Sequence, residues 1–406
     1  MIDHPRILVL FGGATLFGQE RGNIEAISAL RDKGAKILCL IRQDEWSNHV
    51  APALSARGLS YLKVPYVDPG SPRRWRSILL RSPIQFIRAN FAFWRISRAF
   101  RPTHVHAFNP VYVLNFLVSL SLHRIPMVYR MGDEPILHNW IWRTLWKFVI
   151  WRTDHFVVNS QFVGRSLMAT GVIPDDITVI YNAPPRRDPY LSTSLSLDDK
   201  PDVAIITYVG QITELKGVHV LIDAFRIIAL EFPNARLHIA GRISQWIGDA
   251  WARQLRDSVS ADERLRERVV FLGDIEDVAR LFSKSRVHVT PSLFNDPSPN
   301  VVMEAKQQRC PSIVFPNGGM PELVDDGIDG AVCHESTAQA LATKLRYYLG
   351  NPEAAQCQGE AAYQSLTKLR IPQFANNWLE VYRRAADGDA SGVKYSSVKT
   401  SHEPQI

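Results

Sequence analysis

No run of about 18 uninterrupted apolar residues occurs in this chain, which argues against a membrane-spanning helix. The four cysteines, Cys39, Cys310, Cys333 and Cys357, form no C-x-x-C pair and no Cys/His metal spacing. A disulfide framework is therefore not indicated, and a reducing, cytoplasmic setting is expected. The N-terminal MIDHPRILVLFGGAT lacks the basic region and long apolar run of a secretory signal and reads as a first strand ending in glycines. Acid is missing too, over one long span. From Pro69 to Gly132 there is no Asp or Glu but there are ten arginines, eight of them in RRWRSILLRSPIQFIRANFAFWRISRAFR, Arg73 to Arg101. Residues 1–190 carry 24 Lys+Arg against 13 Asp+Glu, or +11, and the remainder 23 against 27, or −4, which add to the formal net charge of +7. The first half expects an anionic partner.

With 406 residues the chain can bury two cores of ordinary size. Its 46% hydrophobic and 21% charged residues, with no low-complexity block, are those of a globular protein. Apolar runs alternate with helical patterns. RILVLF (6–11), AKILCLI (35–41), THVHAF (103–108), PMVYRM (126–131), HFVVNS (155–160) and ITVIY (177–181) read as strands, and QERGNIEAISALRDKG (19–34) reads as a helix closed by Gly34. NAPPRRDPYLSTSLSLDDKPD (182–202) breaks the alternation and reads as a linker. Strands resume at 203–210, 235–241, 268–274, 286–292 and 311–317, with a helix over 218–232. This predicts an α/β protein of two Rossmann-like domains whose parallel sheets face a central cleft. The expected boundaries are 1–190, a linker at 191–202, 203–370, a helix at 371–387 packing back on the first domain, and a disordered tail at 388–406.

Ligands in such sheets bind at the C-terminal ends of strands, so the loops there carry the candidates. Gly12 and Gly13 follow the first strand, where backbone amides can approach a phosphate; glycines needed only for a tight turn are the alternative. The spacing there is not G-x-G-x-x-G, so a dinucleotide site is not indicated. In YVGQITELKGVHVLIDAF, Lys216 stands beside a helix start and can pair with a phosphate, or it can be a solvated surface lysine. That loop is not a P-loop. In NDPSPNVVMEA, Asp296 and Glu304 lie eight residues apart. Pro297 and Pro299 stiffen the loop, and Asn300 is expected to cap the helix VVMEAKQQ. Free amides from Val301 onward then suit a diphosphate, and a carboxylate that accepts two adjacent hydroxyls fits a sugar diol. The alternative is that both acids merely complement the positive helix end.

Three ordered motifs resemble the retaining, nucleotide-sugar-dependent glycosyltransferases of family 4, the group 1 glycosyl transferases with the GT-B fold. YVGQITELKGVHVLIDAF is similar to that family's V-G-R-L-x-x-x-K-G loop. PSLFNDPSPNVVMEA is similar to its P-S-x-x-E-x-x-x-x-x-x-x-E-A segment, and FPNGGMPELVDDGIDGAVC to its G-G-x-x-E-x-[IV]-x-x-G-x-x-G stretch. The resemblance implies that Glu304 binds the donor ribose and that Asp296 holds hydroxyls of the transferred sugar. It implies that Lys216 pairs with the diphosphate and that Gly13 donates an amide to it. No metal and no cofactor is implied; the donor, a UDP- or GDP-linked sugar, is a substrate, and helix termini and cations stabilise the leaving diphosphate. Three positions depart from the pattern. Gln211 replaces an arginine, Asp296 is one methylene shorter than the family's Glu, and the loop RMGDEP offers Asp133, with Arg130 as an added cation, where a histidine is usual. Asp133 is thus a candidate catalytic group or a simple turn residue.

The acceptor falls to the first domain. The arginine-rich segment interleaves cations with Trp, Phe, Ile and Leu, and HNWIWRTLWKFVIWR (138–152) adds four tryptophans and three cations. Such a surface suits an anionic membrane, each cation contributing about 1 kcal/mol near an anionic leaflet. The other reading places these aromatics in the core. The expected function is sugar transfer with retention to a glycan or lipid-linked acceptor in cell-surface polysaccharide or glycolipid biosynthesis, at the inner face of the membrane. A nucleotide-sugar-binding protein without transfer is the alternative. Nucleic acid is not an expected partner, since no module for it is recognised.

Overall fold

A computed structural model describes residues 4–11, 16, 18–43, 49–66, 75–184, 203–243, 249–369 and 373–388. The linker expected at 191–202, and all but the first residue of the tail expected at 388–406, lie outside them. The chain divides into two units, Met1–Ile180 with Gln373–Ile406, and Tyr181–Pro372.

In the first unit the apolar runs become β1 (Arg6–Leu10), β2 (Lys36–Arg42), β3 (Ser60–Val64), β4 (His104–Ala107), β5 (Met127–Met131), β6 (His155–Val158) and β7 (Ile177–Val179). Between them run α1 (Gly18–Asp32), α2 (Val50–Ala56), α3 (Trp75–Phe100), α4 (Pro110–Asn115), α5 (Leu117–Leu122), α6 (Trp140–Arg152) and α7 (Gln161–Met168). The sheet is parallel in the order β3-β2-β1-β4-β5-β6-β7. Strands β4, β5 and β6 are buried throughout, because helices cover both faces of such a sheet and every side chain meets a packing partner. β3 was not expected from the sequence. Its SYLKV is mostly open to solvent, as suits an edge strand, and it has no continuous apolar run.

The second unit holds β8 (Ala204–Val209), α8 (Val218–Ile228), β9 (Ala235–Ala240), α9 (Asp249–Ala261), β10 (Val269–Gly273), α10 (Val278–Ser283) and β11 (Val287–Thr290). It continues with α11 (Asn300–Gln307), β12 (Ser312–Val314), β13 (Gly330–Val332), α12 (Ala338–Gly350) and α13 (Pro352–Lys368). Its parallel sheet runs β10-β9-β8-β11-β12-β13. α8 buries Val218, Leu221, Ile222, Phe225 and Ile228, the i, i+3, i+4, i+7 stripe of a helix lying on a sheet, and packs on α12. Behind α11, Lys306 is fully buried and donates to Asp329 Oδ2 at 2.7 Å and to Ser365 Oγ at 2.8 Å. That pair ties α11 to α13 and to the turn before β13.

The last helix, α14 (Phe374–Gly388), belongs to the first unit and packs against α1, β5 and β6. It buries Trp378, Val381, Tyr382 and Ala385. A hydrogen-bonded chain follows. His106 Nδ1 meets the Tyr382 hydroxyl at 2.6 Å, His106 Nε2 donates to Asn23 Oδ1 at 2.9 Å, and Asn23 Nδ2 donates to Gln19 O at 2.8 Å. His104 Nε2 donates to the Tyr382 carbonyl at 2.8 Å. These contacts are satisfied by neutral imidazoles. Burial lowers His106 to about 3, with Arg130 adding to the effect, and lowers His104 to about 4. His155 falls to about 4 by burial, with Arg384 adding to it. No helix among the described residues is long and apolar enough to cross a membrane.

The pH dependence follows in sign. These histidines have folded values below the ordinary 6.5, so the unfolded chain binds more protons as pH drops through that value. Stability is full above pH 6.5 and declines toward pH 4, by roughly 1.4 kcal/mol per pH unit for each fully coupled histidine. Urea titrations at stepped pH should show this decline, and His106→Gln should flatten it. A second stability test concerns the buried pair: Lys306→Ala is expected to cost about 3–5 kcal/mol in the same titration, because it strands a buried carboxylate.

Candidate functional site

Strand order in the second sheet reverses at the β8/β11 neighbours, and a ligand crevice forms outside the carboxyl ends of strands at such a point. The loops leaving β8 and β11 are sewn together there. Leu293 N donates to Leu215 O at 2.8 Å. Gly217 has φ +70, and a Cβ on it would lie 1.9 Å from the Pro291 carbonyl oxygen, so only glycine lets the backbones meet. The preceding residue is Lys216. Its Nζ donates to Asp296 Oδ2 at 2.6 Å and lies 4.7 Å from the centre of the Phe294 ring. Asp296 is nearly buried, whereas the Lys216 side chain remains 28% exposed.

The two roles implied for these residues, sugar hydroxyls for Asp296 and diphosphate for Lys216, were separate ones. The geometry makes them a single ion pair, because the loops are locked backbone to backbone. An ammonium has three protons, so Lys216 can hold Asp296 with one and still address an anion. Asp296 is fixed from behind as well. Its carbonyl accepts from Gly319 N at 2.9 Å, and Gly318, at φ +65, would place a Cβ 2.5 Å from that same oxygen. The glycines of FPNGGMPEL thus make room for the Asp296 backbone. Asn317 Nδ2 donates to Ser292 O at 2.8 Å and holds the start of the loop. Asp296 also helps burial to push the Tyr208 phenol upward, and the Tyr208 hydroxyl donates to Gln211 O at 2.6 Å, bracing the loop after β8.

The start of α11 corrects one expectation. Asn300 does not cap the helix. Pro299, at φ −66 and ψ 118, occupies the cap position, and Asn300 is the first helical residue. A proline there fixes the extended entry and needs no N–H, but it offers no side-chain acceptor, so the first turn has no side-chain cap. That leaves the helix end receptive to an anion. Asn300 Oδ1 instead accepts from Asn182 Nδ2 at 2.7 Å, and the same amide reaches Ser298 O at 3.2 Å. Asn182, read in the sequence as the beginning of a linker, is buried and pins the helix entrance. Among the described residues, the buried Ser298 hydroxyl beside it has no hydrogen-bond partner. Val301 and Glu304 follow within the first turns of α11, both half-buried.

The second unit therefore gathers Lys216, Asp296, Asn300, Val301 and Glu304 around one strand-order reversal. Gly12 and Gly13 lie outside the described residues. Asp133 belongs to the first unit, exposed in the loop after β5. Arg130, expected as an added cation in that loop, is instead buried within β5. Its guanidinium packs against α1 so closely that a Cβ on Gly22 would lie 2.7 Å from it. Burial lowers it to about 10, with Asp133 and Glu20 opposing the shift, so it remains a cation at neutral pH. Sequence reasoning overlooked Asn182 and the Gly318 seat. The paired glycines were a visible signal for the second, and nothing in the run YNAPP distinguishes the first from linker.

Comparison with known proteins agrees with this layout. The family model described as Glycosyltransferase Family 4 matches residues 18–183, and that described as Glycosyl transferases group 1 matches residues 196–365. Spore coat protein SA of Bacillus subtilis is 27% identical over 44% of this chain and 48% of its own, so the chain spans about half the length of that relative. Glycogen synthase of Mycobacterium tuberculosis is 26% identical over 72% of this chain and 71% of its own. Among solved structures, a glycosyltransferase from Rickettsia africae superposes with TM-score 0.75 at 17% identity, covering 94% of this chain and 99% of its own. Anabaena HepE in complex with UDP-glucose superposes with TM-score 0.70 at 18% identity, covering 96% of this chain and 100% of its own. Two family models matched in order, over two parallel-sheet units whose structural neighbours are GT-B enzymes, establish that the chain belongs to the group 1, family 4 glycosyltransferases.

Proposed function

We propose that the chain transfers a sugar from a UDP- or GDP-linked donor to a glycan or lipid-linked acceptor with retention of anomeric configuration. The observation that carries this reading is the Lys216–Asp296 pair beside the uncapped start of α11. The Lys216 ammonium and the α11 amides would receive the diphosphate, and Asp296 would orient sugar hydroxyls. Glu304, farther along α11, would accept the ribose diol. As the bond from the anomeric carbon to the diphosphate oxygen breaks, the acceptor hydroxyl would bond to that carbon on the same face and pass its proton to the departing diphosphate oxygen, whose growing charge the preorganised ammonium and helix end stabilise without a metal. The family resemblance offers Asp133, exposed in the loop after β5, as a further candidate catalytic group. The complex of HepE with UDP-glucose supports the donor class. The place of action we infer is the cytoplasmic face of a membrane, in surface polysaccharide or glycolipid assembly. Gln211, standing where the family pattern has arginine, keeps open a donor-binding protein without transfer, and activity decides between them.

Donor turnover by the full chain should fall about 10²–10³-fold in kcat for Lys216→Ala. Glu304→Ala should act chiefly on donor KM, because ribose binding is the same in ground and transition states. Chelation by EDTA should leave turnover unchanged. A wild-type chain that binds nucleotide sugars yet neither hydrolyses nor transfers them would assign it to the binding class. Asp296→Glu, assayed across a donor panel, should change which sugar is preferred while retaining turnover. Gly217→Ala should lower both donor affinity and melting temperature, since the clash with Pro291 forces the two loops apart.

A further inference from the structure

We propose that the outer face of the helical layer made by α3, α5 and α6 is a docking surface for an anionic lipid bilayer. The proposal deepens the reading above, because it rests on an acceptor presented at a membrane, but its evidence lies wholly in the first unit. The sequence leaves open whether the aromatics among the arginines belong to the core. α3 answers this. Its inner face buries Ala89, Asn90, Phe93 and Ser97. Its outer face, at spacings of three and four, carries Ile84 at 63% exposure, Ile87 at 67%, Phe91 at 61% and Trp94 at 36%. The core contact through Ala89 and Phe93 leaves four large apolar side chains pointing outward, where water alone selects polar ones on a surface helix.

The stripe is organised. Phe91 and Trp94 stack with centroids 5.6 Å apart, and the Arg98 guanidinium lies 5.1 Å from the Trp94 ring centre. Arg88 and Arg95 are exposed along one flank of the stripe. α6 repeats the plan. Asn139 caps it through Trp142 N at 2.9 Å, and Trp146 and Val149 turn inward. Trp140, at 76% exposure, shares the opposite side with Lys147 and Trp151. α3 packs on α4 and α5, and α4 packs on α6, so these helices form one layer on one side of the sheet. Leu122 of α5, at 76%, is exposed in the same layer.

Charge and apolarity together select the occupant. Among the described residues no carboxylate pairs with Arg88, Arg95, Arg98 or Lys147. A nucleic acid would engage those cations and leave Ile84, Ile87 and Leu122 in water. A protein interface would bury the apolar stripe but is depleted in charge at its centre. A bilayer accepts both, with rings and aliphatic chains at the acyl boundary, arginines at lipid phosphates, and tryptophans at the interface between them.

Flotation of the full chain tests this, with vesicles of phosphatidylglycerol and phosphatidylcholine against vesicles of phosphatidylcholine alone. Binding should be at least about tenfold stronger to the anionic vesicles at low salt. Both Ile87→Ser/Phe91→Ser and Arg88→Glu/Arg95→Glu should lower it about tenfold, with unchanged melting temperatures, since all four side chains are exposed. Absence of binding, or equal binding to both vesicles, overturns the proposal. Loss on charge reversal alone reduces the face to a polyanion site and also overturns it. So does a concentration-dependent dimer, dissolved by Phe91→Ser, in place of vesicle binding. Donor turnover in the same preparations separates the two readings. Turnover without vesicle binding sinks only the docking surface, and vesicle binding without turnover sinks only the transferase.

Discussion

Strand β8 sits between β9 and β11, and from that one point the second unit's chain winds outward in both directions. A right-handed crossover on either side sends the two helices to opposite faces, so the loops leaving β8 and β11 have no helix between them. They must either stay apart or touch through backbone, and here they touch, with Gly217 against Pro291. This contact sets the reach of Lys216 to Asp296. The carboxylate is nearly buried, and a buried charge persists only with a partner, so the ammonium and the close approach that delivers it depend on each other. Gly318 and Asn182 are consequences of the same demand: one admits the Asp296 backbone, the other holds the helix that begins four residues later.

Much of the fold is legible in the sequence for a physical reason. A parallel strand covered on both faces needs apolar side chains in both directions, so RILVL, MVYRM and AIITYV appear as nearly unbroken runs. Where that condition lapses, the signal lapses with it. SYLKV at the open edge and GAV, only three residues long, carry no such run. The site residues were visible as residue types at a spacing, but their arrangement was not. Lys216 and Asp296 are 80 positions apart, and their contact depends on the packing of two loops that no local pattern encodes. Asn300 shows the opposite failure. Its capping propensity is real, but the proline before it claims the cap position, and Asn182 takes the side chain. On α3 both faces carry aromatics, so periodicity alone could not say which face points inward; the neighbours α4 and α5 decide.

The two units also divide the physics. Cations and exposed aromatics collect on the helices of the first, and acids paired or held at loop ends collect on the second. Neither character is needed for the sheet itself, since the cores are built from the same aliphatic residues.

The return of α14 to the first unit has a temporal consequence. Every strand of that unit is synthesised by Val179, yet Trp378, which fills its core, and Tyr382, which also hydrogen-bonds His104 and His106, lie beyond the whole of the second unit. At ordinary rates of translation the ribosome needs roughly 10–40 s to make the intervening chain. Throughout that interval the place of α14 on β5 and β6 stands open to water, and the contiguous second unit can close first. The domain begun first is completed last, and a chain cut short before Phe374 leaves its oldest half without part of its core.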